Sequence, residues 1–105
     1  MDLKIIWSNF AEKQLDEIFE YYAKNISEQT AKKIVKNVLL QTEKLYKTPF
    51  IGQIEVLLQN RKPVYRYLIY TNYKIIYTVD ELKGYIKISD IFDSRQNPAK
   101  IKREK

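Results

Sequence analysis

The chain predicts an α+β domain: an N-terminal strand, an antiparallel two-helix hairpin, and a largely antiparallel sheet of three to four strands beneath it. Three observations carry this reading. Tyr65 to Tyr70, Tyr73 to Val79 and Tyr85 to Phe92 are rich in Ile, Val, Tyr and Thr, the side chains that suit a pleated, half-buried surface. Asn9 to Lys24 and Glu28 to about Tyr46 repeat their apolar residues with the helical period. The links between these segments are short and hold turn residues, so neighbours in sequence become neighbours in space.

In chain order, Leu3 to Trp7 is a short β-prone run that ends at Ser8, a residue suited to cap a helix because its hydroxyl can accept from a free first-turn amide. The first helix buries Ala11, Leu15, Ile18 and Tyr22, with Phe19 widening the stripe. Ser27 and Glu28 restart a second helix, whose apolar face holds Ala31, Ile34, Val35, Val38, Leu39 and Leu45. Thr48-Pro49-Phe50-Ile51-Gly52 ends it, since Pro cannot continue a helix and Gly lets the chain reverse. Ile54 to Leu58 reads as a further strand. Thr71-Asn72 forms a tight hairpin with Asn accepting positive φ, and Asp80 to Gly84 is a longer loop. Alternation along the last strand puts Ile86, Ile88 and Phe92 on one face and Tyr85, Lys87 and Ser89 on the other. The domain spans residues 1–98, and 99–105 form a basic, mobile tail.

Composition narrows the chemistry. With no Cys and no His among 105 residues, thiolate metal sites, cysteine nucleophiles and imidazole bases are all excluded. No cofactor and no metal is expected. Nineteen Lys and Arg (19) against 13 Asp and Glu leave +6, which favours an acidic or phosphate-rich partner. No apolar run approaches a membrane span, and Met1 to Trp7 is too short and too charged for a signal peptide, so a cytoplasmic location is expected. Arg66 and Lys74 lie inside strands, and Arg95 follows the last one. Asp90, flanked by Ile88, Ile91 and Phe92, would need a cation such as Arg66 or Arg95 if buried.

Several segments together resemble the RelE/ParE superfamily of bacterial type II toxins: Trp7-Ser8 leading into the first helix, Pro49-Phe50-Ile51-Gly52, Arg66-Tyr67-Leu68, Tyr73-Lys74-Ile75-Ile76-Tyr77, and Ile91-Phe92-Asp93-Ser94-Arg95-Gln96-Asn97-Pro98. The resemblance runs from Leu3 to Pro98. It implies a toxin neutralised by a cognate acidic antitoxin, with a groove over the hairpin and a free sheet edge as contact surfaces. It also implies a homodimer or a hetero-oligomer with the antitoxin.

RelE-like members cut mRNA on the ribosome without a metal. On that resemblance Arg66, Lys74 and Arg95 would be the catalytic cations, and Tyr73 or Tyr77 would have to stand in for the missing proton-transfer residue, although an ordinary phenol is a poor base near neutral pH. ParE-like members inhibit DNA gyrase instead. The ending Asp93 to Pro98 looks more like theirs, and no Tyr follows Arg95 where RelE-like relatives carry one. The resemblance therefore implies a ParE-like, non-nucleolytic toxin, with Arg61, Lys62 and Arg95 as the target-binding cations. A RelE-like endoribonuclease and a degenerate, non-toxic subunit or regulator are the alternatives.

Overall fold

The computed structural model describes residues 3–105. Met1 and Asp2, part of the N-terminal run read above, lie outside them. β1 (Lys4–Trp7) leads into α1 (Asn9–Asn25) and α2 (Glu28–Glu43), and β2 (Gln53–Ile54), β3 (Arg66–Tyr70), β4 (Tyr73–Asp80) and β5 (Tyr85–Asp93) follow. The five strands form one sheet in the order β1-β5-β4-β3-β2. β3, β4 and β5 are an antiparallel meander, while β1 runs parallel to β5.

The helix starts are chemically specified. Ser8 Oγ accepts from the Ala11 amide at 3.0 Å and Ser27 Oγ from the Thr30 amide at 3.0 Å, each satisfying a donor that the first turn leaves free. Ser8 Oγ also donates to the Ser89 carbonyl at 3.3 Å, so one hydroxyl ties α1 to β5. The hairpin covers one face of the sheet. Its core joins Ala11, Val38 and Leu45 to Tyr73, Ile75 and Tyr77 of β4 and to Ile86, Ile88 and Ile91 of β5.

Strict alternation fails within β5. Ile88 stands opposite Tyr77 and Asp90 opposite Ile76, so Ser89 is an extra residue, a β-bulge. Beyond it the faces exchange: Ile91 joins Ile86 and Ile88 under the helices, whereas Phe92 turns to the far face with Ile76. The expected grouping of Phe92 with Ile86 and Ile88 is thereby corrected.

The far face has its own small core. Leu58 and Ile101 close over Ile76 and Phe92, with Tyr65 and Tyr67 alongside. Leu58 comes from a 3-10 turn, Val56–Leu58, where a strand was expected as far as Leu58; only Gln53–Ile54 pairs with β3. Glu55 explains the break, since its buried carboxylate accepts from the Leu57 amide and caps the turn. Ile101 belongs to the tail. Residues 99–105, expected to be mobile, instead continue the packing: Pro98–Lys102 is a 3-10 helix and Ile101 is fully buried.

Two turn residues act differently from their sequence reading. In the β3–β4 hairpin the positive φ falls on Thr71 (51°), while the Asn72 amide donates to Asp93 Oδ1 at 3.0 Å. Gly52 is required for proximity, not for reversal. Its amide donates to Tyr77 Oη at 2.8 Å, and a Cβ there would lie 2.5 Å from that oxygen and 2.8 Å from the Tyr67 carbonyl. Because one obstacle is backbone, Gly52→Ala is expected to destabilise the fold by about 1–3 kcal/mol, read from urea unfolding. A change below about 0.5 kcal/mol would show that the loop relaxes freely.

Candidate functional site

The three cations that the sequence offered for catalysis are each engaged by the protein itself. Lys74 lies on the far face, where Nζ meets the Glu55 carboxylate at 2.7 Å and stands 4.3 Å from the centroid of the Tyr67 ring. Glu55 is 2% exposed, so Lys74 neutralises a buried charge and holds the turn after β2 against the sheet. Arg66, in register with Tyr77, faces the helix side. It donates to the Gly52 carbonyl at 3.0 Å and the Phe50 carbonyl at 3.3 Å, and covers the Phe50 ring. Arg95 extends past β5 and clasps Asp93 through Nε at 3.1 Å and Nη2 at 2.9 Å. Arg66 and Lys74 thus occupy opposite faces, and Arg95 stands apart from both.

The phenols are also set against proton transfer. Burial, followed by the Tyr22 hydroxyl 3.4 Å away, pushes the Tyr73 phenol well above its ordinary value. Burial raises Tyr77 as well, despite the opposing Gly52 amide. A phenol held up in this way does not take a proton near neutral pH. No two of the nuclease candidates Arg66, Lys74 and Arg95 converge on a common point with such a group.

Asp90 is buried, yet neither Arg66 nor Arg95 serves it. The bulge turns its carboxylate toward the far face, where the tail returns: Arg103 reaches Oδ1 at 2.9 Å and Oδ2 at 3.1 Å, and Lys105 Nζ reaches Oδ2 at 3.0 Å. Arg103 also lies over the rings of Phe10 and Phe92 and donates to Gln14 Oε1. Burial draws the Lys105 ammonium down, with Asp90 opposing. Glu55, Arg103 and Lys105 carry no motif of their own. The apolar flanks of Asp90 signalled that a cation was needed, and pairing across the sheet decided which one.

Of the expected target-binding residues, Arg61 donates to the Lys102 carbonyl beside the tail, and Lys62 is exposed next to it. Arg95 borders a different feature, a cleft of about 310 Å³ between α1 and the end of β5. Gln14, Glu17 and Tyr21 line its helix side, and Tyr73, Asp93 and Gln96 line its sheet side. Elsewhere the surface carries exposed apolar side chains. Leu39, Leu40, Tyr46, Phe50 and Ile51 are exposed along the end of the hairpin, and Ile54, Val56 and Ile69 around the short edge strand. β2 pairs only with Arg66 and Tyr67, so the outer edge of β3 from Leu68 to Tyr70 stands without a strand partner among the described residues. No helix among the described residues is long and apolar enough to cross a membrane.

A two-helix lid on a bulged five-stranded sheet with an apolar free edge defines a small α+β protein of RelE/ParE type. The profile of the family described as "ParE toxin of type II toxin-antitoxin system, parDE" matches residues 5–98, and the chain belongs to that family. Its fold is that of a chain from the chromosomal ParDE TA system of P. aeruginosa, with a TM-score of 0.71 at 22% identity over 87% of this chain and 95% of the other. A comparison with curated protein sequences gave no match.

Two measurements check the ion pairs. Lys74→Ala is expected to cost about 3 kcal/mol in urea unfolding, because it strands the buried Glu55 charge, and Lys74→Met with Glu55→Gln should recover most of the loss. An undiminished stability would leave Lys74 free for a partner. Hydrogen bonding from Arg95 holds Asp93 down at about 2, so its contribution is present above the ordinary carboxylate value and lost as pH falls through 2. Arg95→Ala should return the Asp93 titration, followed by carboxylate NMR, toward about 3.9.

Proposed function

We propose that this toxin arrests growth in the cytoplasm by binding DNA gyrase rather than by cutting mRNA, and that a cognate acidic antitoxin holds it inactive. One observation carries the choice between activities: Arg66, Lys74 and Arg95 are each occupied by a protein partner, Lys74 on the opposite face of the sheet from Arg66, and the cleft beside Arg95 is lined by neither of the other two. Cutting RNA needs charge stabilisation and proton transfer at one phosphate, and dispersed, pre-paired cations beside raised phenols do not supply that. Membership of the ParE family rather than a nuclease branch supports the gyrase target.

For the antitoxin, the support is the free outer edge of β3 beside the exposed Ile54 and Ile69 side chains, on a chain of charge +6. An extended acidic segment would add there as a strand, with backbone hydrogen bonds for affinity and alternate apolar side chains for specificity. Induced expression in a strain with a DNA-damage reporter is expected to stop growth and switch the reporter on while primer extension finds mRNA intact. Ribosomal A-site cuts that vanish in Lys74→Ala or Arg95→Ala would overturn the proposal, and growth without any defect would make the chain a non-toxic subunit. In the same strain, Ile69→Lys should escape rescue by the antitoxin encoded alongside.

A further inference from the structure

The far face of the sheet is closed over only part of its width. Leu58 and Ile101 roof Ile76 and Phe92, but toward the end of β4 and the start of β5 this roof stops. There Thr78 and Lys87, paired in register, floor a cleft of about 270 Å³, with Ser89 at its inner end. Tyr65 walls it on the β3 side and Tyr85 on the β5 side, and Lys83 rises at its rim from the β4–β5 loop.

Its charge differs from that of the cations held in ion pairs. Among the described residues, Lys83 and Lys87 have no carboxylate within ion-pair distance, whereas Lys74, Arg95, Arg103 and Lys105 all do. Asp80 also lines the cleft, but its Oδ1 accepts from the Lys83 backbone amide at 2.9 Å and caps the loop. Lys87 is half-buried. Holding an ammonium partly out of water without an anion beside it is unfavourable, and a bound phosphate would supply the missing charge.

The walls specify what accompanies that phosphate. Two half-buried Tyr rings flank the cleft, and any base can stack on an aromatic face. The volume lies near the lower end of small-ligand sites, about 300 Å³, which suits one nucleotide unit. Lys4, in register with Tyr85, and Lys62, next to Pro63, stand exposed on either side and continue the positive path for flanking phosphates.

We propose that this cleft holds one nucleotide of a nucleic-acid single strand, its base against Tyr65 and Tyr85 and its phosphate at Lys83 and Lys87. The proposal goes beyond the gyrase reading and does not require it, so direct binding without gyrase separates the two. The test is fluorescence anisotropy of the full chain with labelled oligothymidylate and oligouridylate across a salt series. Lys83→Gln with Lys87→Gln should weaken binding at least about tenfold and reduce the slope of log K against log salt by about 1.4, the value for two lost contacts to a single strand. Tyr85→Ala should weaken binding with the slope unchanged, while Lys33→Gln with Lys36→Gln on α2 should leave it intact. Preference for either oligomer supports the cleft, and oligodeoxyuridylate then separates the 2′-hydroxyl from the thymine methyl. Failure of the parent chain to bind both overturns it. So does an equal loss in the α2 variant, which would mean general attraction to a basic surface. Among the described residues neither lysine pair is in an ion pair, and thermal melts matching the parent confirm that the variants are folded.

Discussion

The structure depends on one irregular residue. Ser89 inserts an extra position into β5, and from that point the two faces of the strand trade places. Without the bulge, Asp90 would point into the apolar layer under the helices and Ile91 away from it. With it, Ile91 packs against the hairpin core while the Asp90 carboxylate meets Arg103 and Lys105. The same insertion frees the Ser89 carbonyl, which the Ser8 hydroxyl takes up while capping α1. A local break in pairing is thus distributed into a helix cap, a buried ion cluster and a change of packing partner, as expected of bulges that re-aim side chains.

Electrostatics follow from that geometry. The two carboxylates buried most deeply, Glu55 and Asp90, both lie on the far face, and each must be matched by a cation because an uncompensated buried charge is costly. Lys74 serves the first, Arg103 and Lys105 the second. These pairs fasten the turn after β2 and the C-terminal segment onto the sheet, so Lys74, a candidate catalytic cation in the sequence, is held in a structural ion pair in three dimensions. The net charge of +6 is then expressed at other lysines, among them the exposed Lys83 and half-buried Lys87 of the far-face cleft.

Apolar exposure complements this. A sheet closed on one side by a parallel edge strand, β1, and on the other by a two-residue strand, β2, is left open where β3 runs past its partner. Edges of this kind invite another strand, and monomers usually blunt them with charge. Here Ile54 and Ile69 stand exposed instead.

By itself the sequence determined the element types, their order, both serine caps, the meander and the family, because these rest on short-range periodicity, capping chemistry and turn residues. It did not reveal the bulge, since Ser89 alternates normally with its neighbours until β4 is set beside it. Nor could it assign Asp90 to Arg103 and Lys105 or Lys74 to Glu55, pairs whose members come from separate elements. Gly52 shows the same division: the sequence marked a chain reversal, but only the nearby Tyr77 hydroxyl and Tyr67 carbonyl explain why no Cβ fits. Tertiary structure decided every question of which charge meets which, because a side chain's face and distance depend on register, and register is set between strands rather than along them.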